Sequence, residues 1–246
     1  MRVSVLTLHP SSCGDSRLID NAVSSAHNAG ATCIALVCPG VASAGSAVSS
    51  GLGALGLKFG STADTTEYAD PVVLSQLPIL DSVTERDADG GSPSMLNVRL
   101  AVSPTTIIDL VVVSHPADHE ADARAVRSFV ERLPAIHDAR RPEPPRRRGP
   151  RRQEASPPEP ATTRIVIAAC FYPQSSKNSY QADMSAAGFL SLDPGGATRG
   201  PSAATSAIIA GLFVRPGLRP GILVCPPHAP LDALDDCAAI LAEFEI

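Results

Sequence analysis

The sequence predicts an α/β protein built on mixed sheets. Three observations lead there. Short β-branched runs recur along the whole chain, two amphipathic segments of helical period follow strands, and Ser103-Pro104-Thr105 is a turn signal between two long apolar runs. A parallel doubly wound sheet requires a crossover after every strand, which a hairpin excludes.

The elements follow in order. Arg2 to Leu8 is apolar and β-branched, a strand by composition. From Asp15 to Ala29 the residues Leu18, Ile19, Ala22, Val23 and Ala26 repeat at helical spacing, with Asp15 or Ser16 as cap and Gly30 as stop. Thr32–Val37 is a buried strand, residues 39–54 a small-residue loop with a weak helix. Short strands are expected near Leu57–Phe59, at Pro71–Ser75 and after Pro78. Met95–Val102 and Thr106–Ser114 form the hairpin, and Asp118–Leu133 is a helix with Val126, Phe129, Val130 and Leu133 on one stripe and Asp118 as N-cap. Further strands are expected at Arg164–Cys170, Ala207–Val214, Gly221–Cys225 and Ala238–Ile246, with a short helix at Ser179–Ala187.

Composition bounds the classes. The chain has 246 residues, 44% hydrophobic and 18% charged, with mean hydropathy +0.10, which excludes a disordered chain, a collagen and a coiled coil. No apolar stretch is long enough to span a bilayer. MRVSVLTLHP lacks the h-region and cleavage site of a signal peptide, so a soluble domain is expected, with its compartment undefined. Six cysteines in a chain this long are no disulfide framework, and the absence of a CxxC pair excludes a zinc ribbon.

Charge is unevenly placed. Residues 140–160 carry seven Arg against three Glu; the remainder holds 13 basic and 22 acidic residues. Residues 134–163 contain eight of the 23 prolines, and such a segment buries too little apolar area to offset its ordering entropy. The expectation is one domain over 1–246 with a disordered Pro/Arg-rich insertion at about 134–163. The Arg run suits anionic lipid headgroups or an acidic protein partner. No aromatic is interleaved with it, so nucleic-acid stacking is unsupported.

Several polar residues fall at expected strand ends, where α/β folds place their sites. His9 closes the first strand, Cys38 the second and His115 the hairpin; Cys170 and Tyr172 follow the post-insertion strand, and Asp236-Cys237 precedes the last. Singly, each reads more often as a hydrogen-bonded or buried structural residue than as a catalyst. His119-Glu120 lies in a first helical turn and reads as a solvated pair.

Their order carries more. Ser75-Gln76-Leu77-Pro78-Ile79, then Ser114-His115 before a helix, then Ala169-Cys170-Phe171-Tyr172, then Asp235-Asp236-Cys237 resembles the endonuclease/exonuclease/phosphatase superfamily. Its members carry, in that order, an S-x-x-P-I strand, a T-H strand followed by a helix, a G-D-F-N segment and a final S-D-H. The resemblance implies two mixed sheets packed face to face with helices outside, a four-layer αββα sandwich. A narrower similarity is to the C-terminal domain of the membrane protein that remodels GPI-anchor lipids. Its V-D-F-V-V-T-H-F-x-N-H-E-D-D stretch resembles Ile108 to Asp122, its F-G-P-S-T resembles Phe59-Gly60-Ser61-Thr62, and its R-G-L…S-D-S ending resembles Pro216-Gly217-Leu218…Asp235-Asp236-Cys237.

In active superfamily members, Glu and Asp carboxylates hold Mg²⁺, which polarises the phosphodiester, and a His–Asp pair helps activate water. By the resemblance, Cys38 stands at the Glu, Cys170 at the Asp, Tyr172 at the Asn and Cys237 at the final His, with Ala210 near the Asp that orients the conserved His. His115 and Asp236 remain. Mg²⁺ requires hard oxygen ligands, which a thiol does not supply. The expectation is therefore a catalytically degenerate binding or assembly module without a cofactor, its pocket lined by His9, Cys38, His115, His119, Cys170, Tyr172 and Cys237. The alternative is a divergent Mg²⁺-dependent phosphoesterase acting on a lipid or nucleotide phosphodiester. A zinc site of Cys38, Cys170, Cys237 and His115 is a further arrangement, if the four converge.

Overall fold

Apolar residues at alternate positions, with turn residues between them, set out most of the described residues as strands. The computed structural model describes residues 2–10, 32–39, 58–59, 69–85, 94–115, 123–140, 162–192, 208–215, 223–224 and 237–246. The first sheet contains β1 (Arg2–Pro10), β2 (Cys33–Pro39), β3 (Lys58–Phe59), β4 (Ala69–Ser75), β11 (Leu223–Val224) and β12 (Cys237–Glu245), in the order β11-β12-β1-β2-β4-β3. The second contains β5 (Ile79–Glu85), β6 (Ser94–Ser103), β7 (Thr106–Ser114), β8 (Thr163–Pro173), β9 (Leu190–Ser191) and β10 (Ile208–Arg215), in the order β5-β6-β7-β8-β10-β9. Both sheets are mixed: β1–β2 and β7–β8 are parallel, and the remaining pairs antiparallel.

The two sheets pack face to face. Cys33, Ala35, Val37, Val73 and Phe244 of the first bury against Leu96, Val98, Leu110, Val112, Ile167 and Ala169 of the second. The opposite face of the second sheet carries Val111, Val113, Ala168, Cys170 and Phe213, covered by α1 (Ala123–Arg140) and α2 (Lys177–Ala186). The segments expected as a helix at 15–29 and a loop at 40–54 lie outside the described residues. No described helix is long and apolar enough to cross a membrane.

Ser75-Gln76-Leu77-Pro78-Ile79 is the corner between the sheets. Ser75 Oγ accepts the Leu77 N–H at 2.9 Å and turns the chain, while Leu77 inserts into the inter-sheet core. Gln76 N–H donates to Thr32 O at the start of β2, and Ala101 N–H donates to Pro78 O opposite the start of β7. The first turns of β2 and β7 therefore share one end of the sandwich. Strand direction then assigns the rest. The C-terminal ends of β1, β2, β7 and β8 and the N-terminal ends of β6, β10 and β12 gather at the other end.

The helix expected at Asp118–Leu133 ends later than predicted. Residues 116–122, with the expected cap Asp118, lie outside the described residues, but α1 continues through Pro134 to Arg140. Residues 134–140, expected as the start of the insertion, are helical. A proline inside a helix costs roughly 3 kcal/mol. What offsets it is the continued stripe: Val126, Phe129, Val130 and Leu133 are followed by partly buried Ile136 and buried His137. Residues 141–161, the remaining expected insertion, lie outside the described residues.

Candidate functional site

β8 runs to Pro173, three residues past the predicted end, so Cys170 and Tyr172 lie within a strand instead of after it. Alternation decides where they point. Ala169 and Phe171 enter the inter-sheet core; Cys170 and Tyr172 face the helices. Gly211, paired with Cys170, makes room for the Tyr172 ring, since a Cβ there would stand 2.8 Å from Tyr172 Cε1.

The chain leaves β8 through a 3₁₀ turn, Gln174–Ser176, and folds back as α2. Tyr180 and Met184, one helical turn apart, are its buried residues. The helix stops where Gly188 takes φ 83°, with Gly188 N–H donating to Ser185 O and Phe189 N–H to Met184 O, a Schellman arrangement that only glycine enters readily. Phe189 is buried against the same cluster, which fixes the helix along its length.

His115 extends β7 by one residue, its N–H donating to Phe171 O at 2.9 Å. Its ring turns to the helix side, where Nε2 is 3.0 Å from the Tyr180 hydroxyl. The His115 and Tyr180 rings meet edge to face at 5.0 Å, Tyr180 stacks on Tyr172 at 4.5 Å, and Phe213 closes the group at 5.9 Å. The Tyr180 hydroxyl also bonds the Cys170 thiol. Burial pushes that thiol up to about 12, the Tyr180 bond opposing it; burial likewise raises Cys33 to about 11 against its bonds to Ser75 and Thr32. The arrangement is a buried histidine held by a phenol, beside a neutral thiol.

Two outcomes follow. Neither Cys33 nor Cys170 is expected to be alkylated by iodoacetamide in the native state at neutral pH, as read by mass-spectrometric mapping. Both pKa values are raised on folding, so the native thiols keep protons that the unfolded ones lose; stability is unaffected below about pH 8.5 and falls above it. A denaturation midpoint that is flat from pH 8 to 10.5 would contradict this. Separately, Tyr180→Phe removes the shared hydroxyl but keeps the stack, and is expected to cost about 1–2 kcal/mol in chemical denaturation.

Strand direction brings His9, Cys38 and Cys237 to the same end of the sandwich as His115, Cys170 and Tyr172, with Pro10 paired to Cys237 in the first sheet. His9 and Cys38 lie inside their strands, and Cys237 opens β12. Asp236 and His119 lie outside the described residues. Cys170 departs from the arrangement a shared zinc requires, because its thiol faces α2, away from the first sheet. Nor do the Asp- and Asn-position residues suit Mg²⁺: a neutral thiol and a phenol packed among aromatic rings are not hard oxygen anions. Among the described residues no group of three or more His, Cys, Asp or Glu could hold a metal ion.

Sequence reasoning missed Tyr180, although a lone aromatic spaced four residues from Met184 in a polar segment marks a buried helix face. It also missed a polar network on the same face of the second sheet. His137 bonds Asp81 through Nδ1 at 2.7 Å and Asn97 through Nε2 at 2.8 Å, and Asp109 pairs with Arg99 and Arg164. Its signal was three polar residues, Asn97, Arg99 and Asp109, interrupting otherwise apolar strands.

No protein-family model and no curated protein matches the chain. Solved structures do. D. rerio TDP2 complexed with a single-strand DNA product aligns at TM-score 0.61 and 11% identity, over 100% of this chain and 99% of that one. A family protein from Leptotrichia buccalis aligns at 0.60 and 8%, over 99% and 100%. The human Nocturnin catalytic domain with bound sulfate aligns at 0.58 and 8%, over 99% and 94%. The fold is that of the endonuclease/exonuclease/phosphatase proteins.

Proposed function

We propose that this endonuclease/exonuclease/phosphatase-fold chain is a catalytically degenerate binding or assembly module, linked to GPI-anchor lipid remodelling. The observation that carries the reading is Cys170. The residue aligned by motif with a ligating Asp is a fully buried thiol held near 12 beneath Tyr180. A group so placed neither ligates Mg²⁺ nor meets a substrate phosphate. The link to GPI-lipid remodelling rests on the stretch from Ile108 to Asp122 and on Phe59-Gly60-Ser61-Thr62. In this reading the Arg-rich segment contacts an acidic protein or an anionic lipid surface.

The test is a phosphodiesterase assay with Mg²⁺ or Mn²⁺ on lipid and nucleotide diesters. The expected result is no metal-dependent turnover, and none after Cys38→Glu alone, because groups that act as a unit fail together. The combined change Cys38→Glu, Cys170→Asp, Tyr172→Asn and Cys237→His is expected to be slow at best, since Ala210 offers no carboxylate to orient His115. Wild-type turnover that requires Mg²⁺ and disappears in His115→Ala would replace this reading with a divergent phosphoesterase using His115 and Asp236.

A further inference from the structure

Asp109 is completely buried in the fourth position of β7, on the face covered by α1. The two strands beside it each send it an arginine. Arg99, directly opposite on β6, donates Nε–H to Oδ1 at 3.1 Å, and Arg164, on β8, donates Nε–H to Oδ2. An arginine that only neutralises a carboxylate does so best through two parallel N–H groups. Here each guanidinium uses Nε alone, and among the described residues Asp109 is the partner of both. Both side chains reach solvent, at 18% and 30% exposure.

Two permanent cations share one buried anion, and His137 Nε2 stands 3.9 Å from Asp109 Oδ1. Asp81, opposite Arg99 on β5, is engaged by His137 Nδ1 and by the Ser82 N–H. Both Nε atoms rest on one carboxylate, which brings the two guanidinium groups together, and among the described residues no hydrogen bond takes their Nη groups. A carboxylate ligand satisfies one such fork, whereas a tetrahedral oxyanion has enough oxygens to bridge two.

We propose that Arg99 and Arg164, brought together by Asp109, form a phosphate-binding site on the helix-covered face of the second sheet. Asp109 and His115 are six residue steps apart along extended chain, roughly 20 Å, so the site is distinct from the candidate site and stands whether or not that end catalyses anything. The phosphate is either a free phosphoryl compound or a lipid headgroup.

The full chain is titrated with inorganic phosphate by calorimetry at constant ionic strength, and pelleted with phosphatidylcholine vesicles with and without phosphatidic acid. Arg99→Lys and Arg164→Lys keep the charge that Asp109 requires but remove the Nη fork. The expected result is saturable phosphate binding, displaced by sulfate and not by chloride, and weakened about tenfold or more in each Lys variant. Pelleting with phosphatidic acid that inorganic phosphate reverses assigns the headgroup; phosphate binding without pelleting assigns a free phosphoryl compound. Absence of saturable binding to the wild type, or undiminished binding in both folded Lys variants, overturns the proposal. Should a Lys variant fail to fold, arginine side-chain ¹⁵N spectra of the wild type decide: phosphate-induced shifts in two guanidinium groups support the site, and shifts spread over the Arg run refute it.

Discussion

Asp109→Ala is expected to lower stability by about 3 kcal/mol, the low end for removing one partner of a buried ion pair. Three cationic or donor groups from three elements converge on this carboxylate: Arg99 from β6, Arg164 from β8 and His137 from α1. Removing it strands two guanidinium groups beside an apolar side chain, and their partial exposure is why the loss is not larger. Asp109→Asn, which keeps an acceptor and the volume, is expected to fall between wild type and Ala. Chemical denaturation checks both, with a lowered midpoint and an unchanged slope as the expected form. His137→Ala in the same background should be strongly non-additive, because the residues share one network. A loss below about 1 kcal/mol for Asp109→Ala would show that the strands hold without it.

The second large effect contrasts two replacements of the Pro/Arg-rich segment. A short Gly-Ser linker in place of residues 142–161 is expected to leave the melting temperature unchanged or slightly raised, since loop length alters closure entropy by only about 0.6 kcal/mol per doubling. The same linker in place of residues 134–161 removes the last turns of α1. His137 then no longer bonds Asn97 and Asp81, and Ile136 leaves the outer core. The buried Asn97 Oδ1 loses its partner, and the expected cost is about 3–4 kcal/mol. At roughly 2–4 °C per kcal/mol for a chain of this size, the melting temperature should drop by about 10 °C. Equal melting temperatures for the two would mean that the helix end contributes nothing to the fold.

These effects mark where local sequence stops informing. The α/β class, the hairpin at Ser103-Pro104-Thr105 and nearly every described strand were legible, because alternation and turn chemistry are local and the inter-sheet core rewards them. Residues 134–140 were not, since Pro134 and the arginines after it are locally a helix stop. Their helicity comes from Asn97 and Asp81, some 40 and 56 positions earlier in the chain, which bind His137. The order of motifs placed His9, Cys38, His115, Cys170 and Cys237 at strand ends, and strand direction carries them to one end of the sandwich.

What motif order leaves open is the face. A strand alternates sides at every residue, so one position separates the inter-sheet core from the helix layer. Phe171 enters the first and Cys170 the second. By itself the sequence determined that a histidine follows the seventh strand and a cysteine stands at the end of the eighth. Only the tertiary structure decided that both face α2, where the Tyr180 hydroxyl meets the imidazole and the buried thiol keeps its proton. The reason is that a side chain's protonation and partners depend on what lies across a sheet or beneath a helix, and those neighbours come from distant parts of the chain.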